Sequence, residues 1–377
     1  GGGGWGVGGR RGGGPRGGVG GGGGVLLAAV LEPAGMAWAA EVVAIAALVA
    51  LALRLNGRLA RSMRNPSLLF PASFLVVIAG STCLLKLPAA TPGDQPIGWI
   101  DACFTATSAV CVTGLGVRDT ASGFTLFGQG VILGSIQLGG LGVMIFGSTL
   151  ALLFGARMSL REGVTLSMAL DEYPAHRISR FVWFIVLTTL VIEAIGAAVL
   201  YGLWPGGDGV GGRAWQAIFH SVSAFCNAGF DITGQSMIGM RDGPAPFLGV
   251  LPMIILGGIG FGVLEDLSRR VRPRRDPSAR RRRLSTHSRL VLVTTLALLV
   301  GGFLLLLMTQ AKAPGTPLGQ RLLDALFMST TARTAGFTTV PMGELTSGSI
   351  LVLMLLMAVG GSPGSTAGGM KTSVLAV

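Results

Sequence analysis

One arrangement recurs three times along this chain: an apolar segment leads into a short stretch rich in Ser and Thr, the stretch ends in a glycine, and a second apolar segment follows. The three stretches are residues 104–115, 219–230 and 327–337. Their glycines, which recur at intervals of about 110 residues, are Gly114, Gly229 and Gly336. Because each repeat must form the same supersecondary unit, this pattern constrains the fold more than any single residue does.

Composition places these repeats in a membrane. Half of the residues are hydrophobic and 12% are charged, whereas about 25% of the residues of a soluble domain are charged. A spanning helix needs about 20 mostly apolar residues. Seven segments meet this requirement: residues 36–55, 67–87, 125–154, 179–203, 246–267, 289–310 and 347–377. The prediction is an all-α polytopic membrane protein, in which tandem helix–pore loop–helix repeats surround a central pore and one extra N-terminal helix precedes them.

The repeats divide the chain into successive parts. Residues 1–24 are almost all Gly and are expected to be disordered, because such a segment cannot bury a core. Residues 25–66 hold the extra membrane helix and a basic loop. The repeats follow at residues 67–155, 156–268 and 289–377, and an Arg-rich loop separates the last two at residues 269–288.

The net charge of +12 comes mainly from arginines that lie in clusters. The clusters lie in residues 54–64, 157–180 and 269–289. Cytoplasmic loops collect Lys and Arg, so all three clusters are expected to face the cytoplasm, with the three Gly-ended stretches opening outward. Topology thus accounts for the charge, and no nucleic-acid partner is predicted.

The sequence offers no constellation of catalytic or metal-binding groups. The four cysteines form no metal-ligand spacing and are interpreted as small buried residues. They are Cys83, Cys103, Cys111 and Cys226. The three histidines are scattered and form no zinc-binding pattern, and no phosphate-binding loop follows a soluble strand. An enzyme is therefore not predicted.

Two further patterns accompany the repeats. Each stretch opens with a similar helix start at Asp101, Gln216 or Asp324, and an acidic first turn suits the positive end of a helix dipole. The second helix of each repeat carries a glycine cluster. The clusters at 139–142 and 257–260 are interpreted as helix-packing sites. The cluster at 360–369 contains Pro363 and cannot sustain a regular helix, and broken backbone at membrane depth is tolerated where it is buried in protein or lines a water-filled path.

The Gly-ended stretches match what a cation filter requires. In such a filter, backbone carbonyls replace the water molecules that hydrate the ion. Such loops need a symmetric set, glycine at the constrained position and a short helix whose negative end faces the ion. The predicted filter residues are Val112, Thr113, Gly114, Asn227, Ala228, Gly229, Thr334, Ala335 and Gly336. Asp119 and Asp231 lie just beyond two of the loops, where they either concentrate cations at the mouth or are solvated loop residues.

Four motifs resemble those of the Trk/Ktr/HKT superfamily of potassium transporters, in particular the bacterial pore-forming subunits of the TrkH/KtrB type. They are Ser108-Ala-Val-Cys-Val-Thr-Gly-Leu115, Ser223-Ala-Phe-Cys-Asn-Ala-Gly-Phe230, Thr334-Ala-Gly-Phe-Thr-Thr339 and Gly360-Gly-Ser-Pro-Gly-Ser-Thr-Ala-Gly-Gly-Met-Lys371. The resemblance covers residues 67–377, and the last motif is the most specific.

The resemblance implies potassium uptake across the cytoplasmic membrane of a bacterium, with K⁺ as the transported ion and Na⁺ or H⁺ as candidate coupling ions. It implies a homodimer that binds a cytoplasmic nucleotide-binding regulatory subunit of the TrkA/KtrA type. Gly at the first filter goes with potassium in the superfamily, whereas Ser there goes with sodium. The implied intramembrane gate comprises Gly360, Gly361, Ser362, Pro363, Gly364, Ser365, Thr366, Ala367, Gly368, Gly369 and Lys371.

The superfamily has four repeats, and three are present here, so we expect the natural product to be longer by about one repeat. Three other interpretations stay open: a sodium-preferring or weakly selective pore, a secondary transporter that couples through Glu41 or Glu193, and an inactive fragment. Arg333 is interpreted as a structural anchor that donates hydrogen bonds to pore-loop carbonyls. Lys371 either influences gating or extends to the membrane surface.

Overall fold

Helices make up the regular structure of the described residues, which in this computed structural model are 66–93, 96–154, 175–205, 209–271, 284–309 and 316–372. All of them belong to one compact unit, Ala52–Val377. The predicted N-terminal helix at 36–55, the Gly-rich segment and most of the Arg-rich loop lie outside the described residues. No strand occurs in the described part of the chain, where a single isolated bridge joins Val359 to Met370. The all-α prediction is confirmed.

Three helical units follow one another in sequence. The first contains α1 (Pro66–Leu85), α2 (Trp99–Val110) and α3 (Leu126–Phe154). The second contains α4 (Ala175–Leu203), α5 (Gly209–Phe225), α6 (Ala245–Ile259, which starts as a π-helical turn) and α7 (Phe261–Val271). The third contains α8 (Thr286–Thr309), α9 (Leu318–Thr331) and α10 (Ser347–Ala358). Short helical turns lie at Pro88–Ala90, Thr120–Gly123, Ile238–Met240 and Met342–Glu344.

Length and hydropathy identify three helices of the described chain that can cross a membrane: Leu126–Ile145, Val182–Leu203 and Thr286–Thr309. At 1.5 Å per residue each covers the hydrocarbon core, which is about 30 Å thick. Two predicted spans are represented by shorter apolar helices, Pro71–Leu85 and Ser347–Ala358. The helices α2, α5 and α9 lie between the first and last helices of their units and are the pore helices expected from the repeat.

The predicted span at 246–267 consists of two helices, because α6 and α7 meet at an angle of 100°, as a broken span or a re-entrant loop does. The bend lies at Gly260, whose φ of +88° and ψ of 151° are accessible essentially to glycine alone. The interpretation of the 257–260 glycine cluster as a helix-packing site is therefore only partly right. A Cβ at Gly257 would overlap the carbonyl oxygen of Phe225, so close packing holds there. In the regular helix α3, Gly139 packs in the same way against the carbonyl of Val110.

The predicted helix starts are right for one repeat of three. Asp101 lies in the first turn of α2, as expected. Gln216 and Asp324 instead lie inside helices that begin earlier, at Gly209 and Leu318. Asp324 is buried at 1% exposure and forms an ion pair with Arg241, so that it anchors a tertiary contact rather than a helix terminus.

Aromatic side chains fill the space around the second and third pore helices. The fully buried phenylalanines are Phe219, Phe225, Phe261, Phe327 and Phe337. The equivalent phenylalanine of the first repeat, Phe104, is 43% exposed. The interpretation of the cysteines as buried residues is wrong for three of the four: Cys83, Cys103 and Cys111 are exposed, and only Cys226 is buried.

Candidate functional site

The loops that follow the three pore helices adopt the same uncommon backbone conformation. The first residue of each predicted filter triplet has a positive φ although it is not glycine: 56° at Val112, 56° at Asn227 and 71° at Thr334. The third residue also has a positive φ: 80° at Gly114, 72° at Gly229 and 87° at Gly336. Non-glycine residues rarely adopt this conformation, and such strain collects at functional sites. Because this conformation recurs at equivalent positions, the three triplets are equivalent parts of the repeat.

The three triplets lie side by side. A Cβ placed on Gly114 would overlap the carbonyl oxygen of Ala228 and would lie 3.3 Å from the Cα of Gly229. A Cβ on Gly229 would in turn lie 2.7 Å from the carbonyl oxygen of Ala335 and 3.2 Å from the Cα of Gly336. The fold thus brings the nine predicted filter residues together, with the second triplet between the first and the third.

The pore helices hold these loops through backbone hydrogen bonds. The N–H of Thr113 donates to Ser108 O at 2.8 Å, and the N–H of Ala228 donates to Ser223 O at 2.8 Å. In the third repeat the N–H of Ala335 donates to Thr331 O at 2.9 Å. The middle N–H of every triplet is therefore directed into its pore helix, and the helix directs the negative end of its dipole toward the loop.

A hydroxyl near the end of each pore helix forms a hydrogen bond with the backbone of the residue that follows the glycine of its triplet. The sequence analysis assigned these hydroxyls no role. Ser108 Oγ accepts from Leu115 N at 2.8 Å. Ser223 Oγ donates to Phe230 O and Thr331 Oγ1 donates to Phe337 O, both at 2.7 Å. The signal was available, because a Ser or Thr recurs five or six residues before each filter glycine.

Beyond α10 the chain is not helical, as predicted for its glycine cluster, and we call residues 360–371 the broken segment. The segment closes on itself: Gly360 N donates to Met370 O, and Met370 N donates to Ala358 O, both at 3.0 Å. A side chain at Gly360 would overlap the carbonyl of Gly368. Gly364 and Gly369 have positive φ values of 71° and 68°.

The broken segment packs against the bend between α6 and α7. Ser362 N donates to Gly258 O at 3.1 Å, and its hydroxyl donates to Ile259 O. Phe261 N donates to Gly364 O at 3.2 Å. A Cβ at Gly260 would lie 2.9 Å from Pro363 O. The bend and the broken segment therefore complete each other's backbone hydrogen bonds.

The same segment contacts the second and third triplets directly. Asn227 Nδ2 donates to Thr366 Oγ1 at 2.7 Å, and Gly368 N donates to Thr334 Oγ1 at 3.0 Å. Arg333 Nη2 donates to Gly360 O at 3.1 Å. The anchoring role expected for Arg333 is thus directed at the broken segment, and the expected pore-loop carbonyl is replaced by that of Gly360.

Lys371 and Asp119 bind within their own parts of the chain. Lys371 Nζ donates to Ala367 O at 2.7 Å, which ties one end of the broken segment to its middle. Asp119 caps the helical turn at Thr120–Gly123, where its carboxylate accepts from Ser122 N at 3.1 Å. It is exposed and lies beyond the first triplet.

Asp231 lies beyond the second triplet, outside the spanning helices. It accepts from Thr233 N at 2.9 Å and from Ser236 N at 2.8 Å, and His220 Nε2 lies 3.0 Å from its Oδ1. Burial alone would raise the pKa of Asp231, but the hydrogen bond and charge of His220, with the hydrogen bonds of Thr233, outweigh burial and bring the pKa down to about 2. The other ring nitrogen of His220 lies 2.8 Å from Gln216 O, so both ring nitrogens have a hydrogen-bond partner. Asp231 therefore orders the outer loop as a paired carboxylate.

Behind the second triplet, Glu193 is buried in α4 at 5% exposure. Gln137 Nε2 donates to its carboxylate at 3.0 Å, and Cys226 Sγ lies 3.9 Å from its other oxygen. Glu41, the other acidic residue considered for coupling, lies outside the described residues. Among the described residues, no cluster of three or more His, Cys, Asp or Glu side chains could hold a metal ion.

The chain is similar in sequence to proteins that are named for potassium uptake. Potassium/sodium uptake protein NtpJ of Enterococcus hirae is 34% identical over 320 residues, which are 84% of this chain and 69% of the relative. Ktr system potassium uptake protein B of Vibrio alginolyticus is 38% identical over 309 residues, 81% of this chain and 66% of the relative. The chain thus spans about two thirds of the length of these relatives.

The fold is also known. The crystal structure of the potassium transporter TrkH from Vibrio parahaemolyticus matches with a TM-score of 0.57 at 21% identity, over 89% of this chain and 72% of that one. This likeness establishes a common fold. The family model described as TrkH, cation transport protein, matches residues 35–377. The resemblance inferred from the filter and glycine motifs is confirmed, and the chain belongs to the TrkH family of cation transport proteins.

Proposed function

We propose that this chain forms a pore for potassium uptake across a membrane. The observation that carries the proposal is the convergence of three triplets with the same strained backbone at the ends of three pore helices. Backbone carbonyls are the groups that replace the hydration shell of K⁺ in selective filters. The relatives named for potassium uptake support K⁺ as the transported ion.

The residues of this pore have two roles. The filter is formed by the backbone of residues 112–114, 227–229 and 334–336. The broken segment, residues 360–371, acts as the gate, since it is non-helical backbone at membrane depth. In this proposal the repeats extend over residues 67–155, 156–268 and 289–377. The filter lies toward the outer side of a bacterial cytoplasmic membrane, which the basic clusters support because cytoplasmic loops collect Lys and Arg.

Sodium is the second candidate ion, because one relative is named a potassium/sodium uptake protein. Gly114 favours potassium by the resemblance, because Gly at the first filter goes with potassium in the superfamily and Ser there goes with sodium. Coupling to Na⁺ or H⁺ belongs to the same proposal. Glu193 is the buried carboxylate that such coupling would use, although it lies behind the second triplet rather than in it.

We further propose a homodimer with a cytoplasmic nucleotide-binding subunit. Arg269 and Arg270 lie exposed at the C-terminal end of α7 and open the Arg-rich loop. An anionic surface on the regulatory subunit would pair with this loop, and the contact would weaken as salt screens it.

The function is tested by expressing the complete gene product in a bacterium deficient in potassium uptake, at limiting potassium. The wild type should restore growth. Gly114→Ala should abolish it, because the added Cβ combines a left-handed φ of 80° with the overlap at Ala228. The matched control is Gly134→Ala, which adds the same methyl group to α3, where nothing lies within 4 Å.

Three outcomes are informative. Growth restored by the wild type and Gly134→Ala but not by Gly114→Ala supports the pore. Growth that depends on sodium rather than potassium would select the second candidate ion. Wild-type protein that reaches the membrane and takes up neither ion, with its regulatory subunit co-expressed, would refute the proposal.

A further inference from the structure

We propose that Asn227 and Thr334 are positioning residues that couple the filter to the broken segment, so that cation occupancy of the filter and the position of the segment influence each other. This inference rests on the proposed function and deepens it. It assigns to two filter residues a side-chain role in addition to the backbone role expected of every filter position.

The Asn227 side chain starts a short chain of hydrogen bonds. Its Nδ2 donates to Thr366 Oγ1 at 2.7 Å, and Thr366 Oγ1 donates to Phe225 O at 3.1 Å. Asn227 is 2% exposed and Thr366 is 6% exposed, so water cannot readily replace either partner. The hydroxyl of the segment is thus inserted between the filter residue and the carbonyl end of its own pore helix.

The third triplet makes the equivalent contact. Gly368 N donates to Thr334 Oγ1 at 3.0 Å, and the preceding residue, Arg333, donates to Gly360 O at 3.1 Å. Arg333 is 7% exposed. Asn227 and Thr334, from neighbouring triplets, therefore bind positions 366 and 368 of the same segment.

Backbone strain explains why these two side chains matter to the filter. Asn227 and Thr334 both have left-handed φ values, 56° and 71°. A β-branched residue such as Thr is a genuine outlier there, and conformations of this kind cost about 1–3 kcal/mol unless the surroundings fix them. The hydrogen bonds to the segment supply that fixation at the second and third triplets.

The first triplet provides an internal contrast. Val112 occupies the same strained position with a φ of 56°, but its side chain can neither donate nor accept a hydrogen bond. Coupling by this route is therefore confined to the second and third repeats, which are the repeats that hold the segment in the described structure.

A movement of the segment must break these bonds. The buried Asn227 amide would then keep only its longer contact to Phe225 O, at 3.4 Å, and the filter backbone would lose a bond that fixes its strained shape. By linkage, a cation that stabilises the filter shape also stabilises the packed segment, and a displaced segment lowers the affinity of the filter by the same factor.

The test measures the stabilisation of the purified full-length protein by K⁺, with choline as the reference cation. Thr366→Val removes the hydroxyl with little change of shape, at a residue outside the filter. We expect the K⁺ concentration for half-maximal stabilisation to rise about two- to tenfold, which corresponds to one buried hydrogen bond. Thr366→Ser, which keeps the hydroxyl, should retain the wild-type midpoint.

Thr372→Val is the matched control. Thr372 follows the segment directly, is fully buried, and its hydroxyl has no hydrogen-bond partner among the described residues. This variant should keep the wild-type K⁺ midpoint. The double variant Asn227→Ala/Thr366→Val should shift the midpoint no further than the larger single change, since both remove the same bond.

The outcomes separate the two proposals. If K⁺ stabilises the wild type, and both Thr366→Val and Thr372→Val have the wild-type K⁺ midpoint, the coupling is overturned and the pore proposal stands. A wild type that K⁺ stabilises no more than choline does would overturn both. If Thr366→Val does not fold, Thr334→Val provides the second variant, because it removes the acceptor of the Gly368 N–H. A midpoint for Thr334→Val equal to that of the wild type would likewise refute the coupling.

Discussion

Gly260 provides a sharp test of how the bend and the broken segment depend on each other. Its φ of +88° with ψ of 151° is a conformation that costs a non-glycine residue about 1–3 kcal/mol. A Cβ would also collide with Ser362 Oγ and lie 2.9 Å from Pro363 O. Gly260→Ala must therefore either strain its own backbone or displace the broken segment.

The expected loss follows from these contacts. Displacement would break the hydrogen bonds that join Ser362 N to Gly258 O and Phe261 N to Gly364 O, each worth about 0.5–1.5 kcal/mol. Together with the backbone cost, these losses give an upper range of about 2–6 kcal/mol for the destabilisation by Gly260→Ala. We expect a lower Tm of the detergent-solubilised protein and slower growth at limiting potassium.

Gly262→Ala serves as the control. Gly262 lies two residues further on, within α7, and a Cβ there meets nothing within 4 Å. Because Ala is the better helix former by about 1 kcal/mol, this variant should melt at or above the wild-type Tm. If both variants melt and grow like the wild type, the bend does not depend on Gly260 and the reasoning fails.

Two further predictions concern the paired carboxylates Asp324 and Asp231. Arg241→Gln should lower the free energy of unfolding by about 3 kcal/mol, because it leaves the buried Asp324 carboxylate without its guanidinium partner. In the wild type, Arg241 Nε lies 3.0 Å from Asp324 Oδ2. A variant that melts at the wild-type Tm would contradict this prediction. The pKa of Asp231 is about 2 in the folded protein, below the usual value of 3.8, so its carboxylate stabilises the fold above about pH 4 and this contribution disappears as the pH falls toward 2. Asp231→Asn should therefore lose less stability than the wild type between pH 4 and pH 2, and equal losses in the two acid titrations would rule out this role for the carboxylate.

The shared conformation of the three triplets could be anticipated because its signal is local. Each triplet is specified by a few neighbouring residues, and the same pattern occurs three times, so chance agreement is small. The long apolar helices were predictable for the same reason, since length and hydropathy suffice.

The bend at Gly260 could not be predicted in this way. A glycine within an apolar segment has the same local signal whether it packs against a neighbouring helix, as Gly257 does, or adopts a positive φ. What decides between these roles is the broken segment, about 100 residues further along the chain, which occupies the position of the missing side chain. Asp324 was misassigned for a related reason: its partner Arg241 lies in another repeat.

The structure requires glycine at the ends of the triplets for two separable reasons, and only one of them is visible in a single repeat. The positive φ at Gly114 and Gly229 is a property of each loop by itself. The second reason is the approach between repeats, since a Cβ on Gly114 would enter the space of the Ala228 carbonyl, and one on Gly229 would lie 2.7 Å from Ala335 O. Any side chain would therefore disturb the adjacent loop as well as its own. The three triplets form one packed unit in which each loop depends on the neighbouring repeat, which is why a repeated triplet indicates a shared site rather than three separate loops.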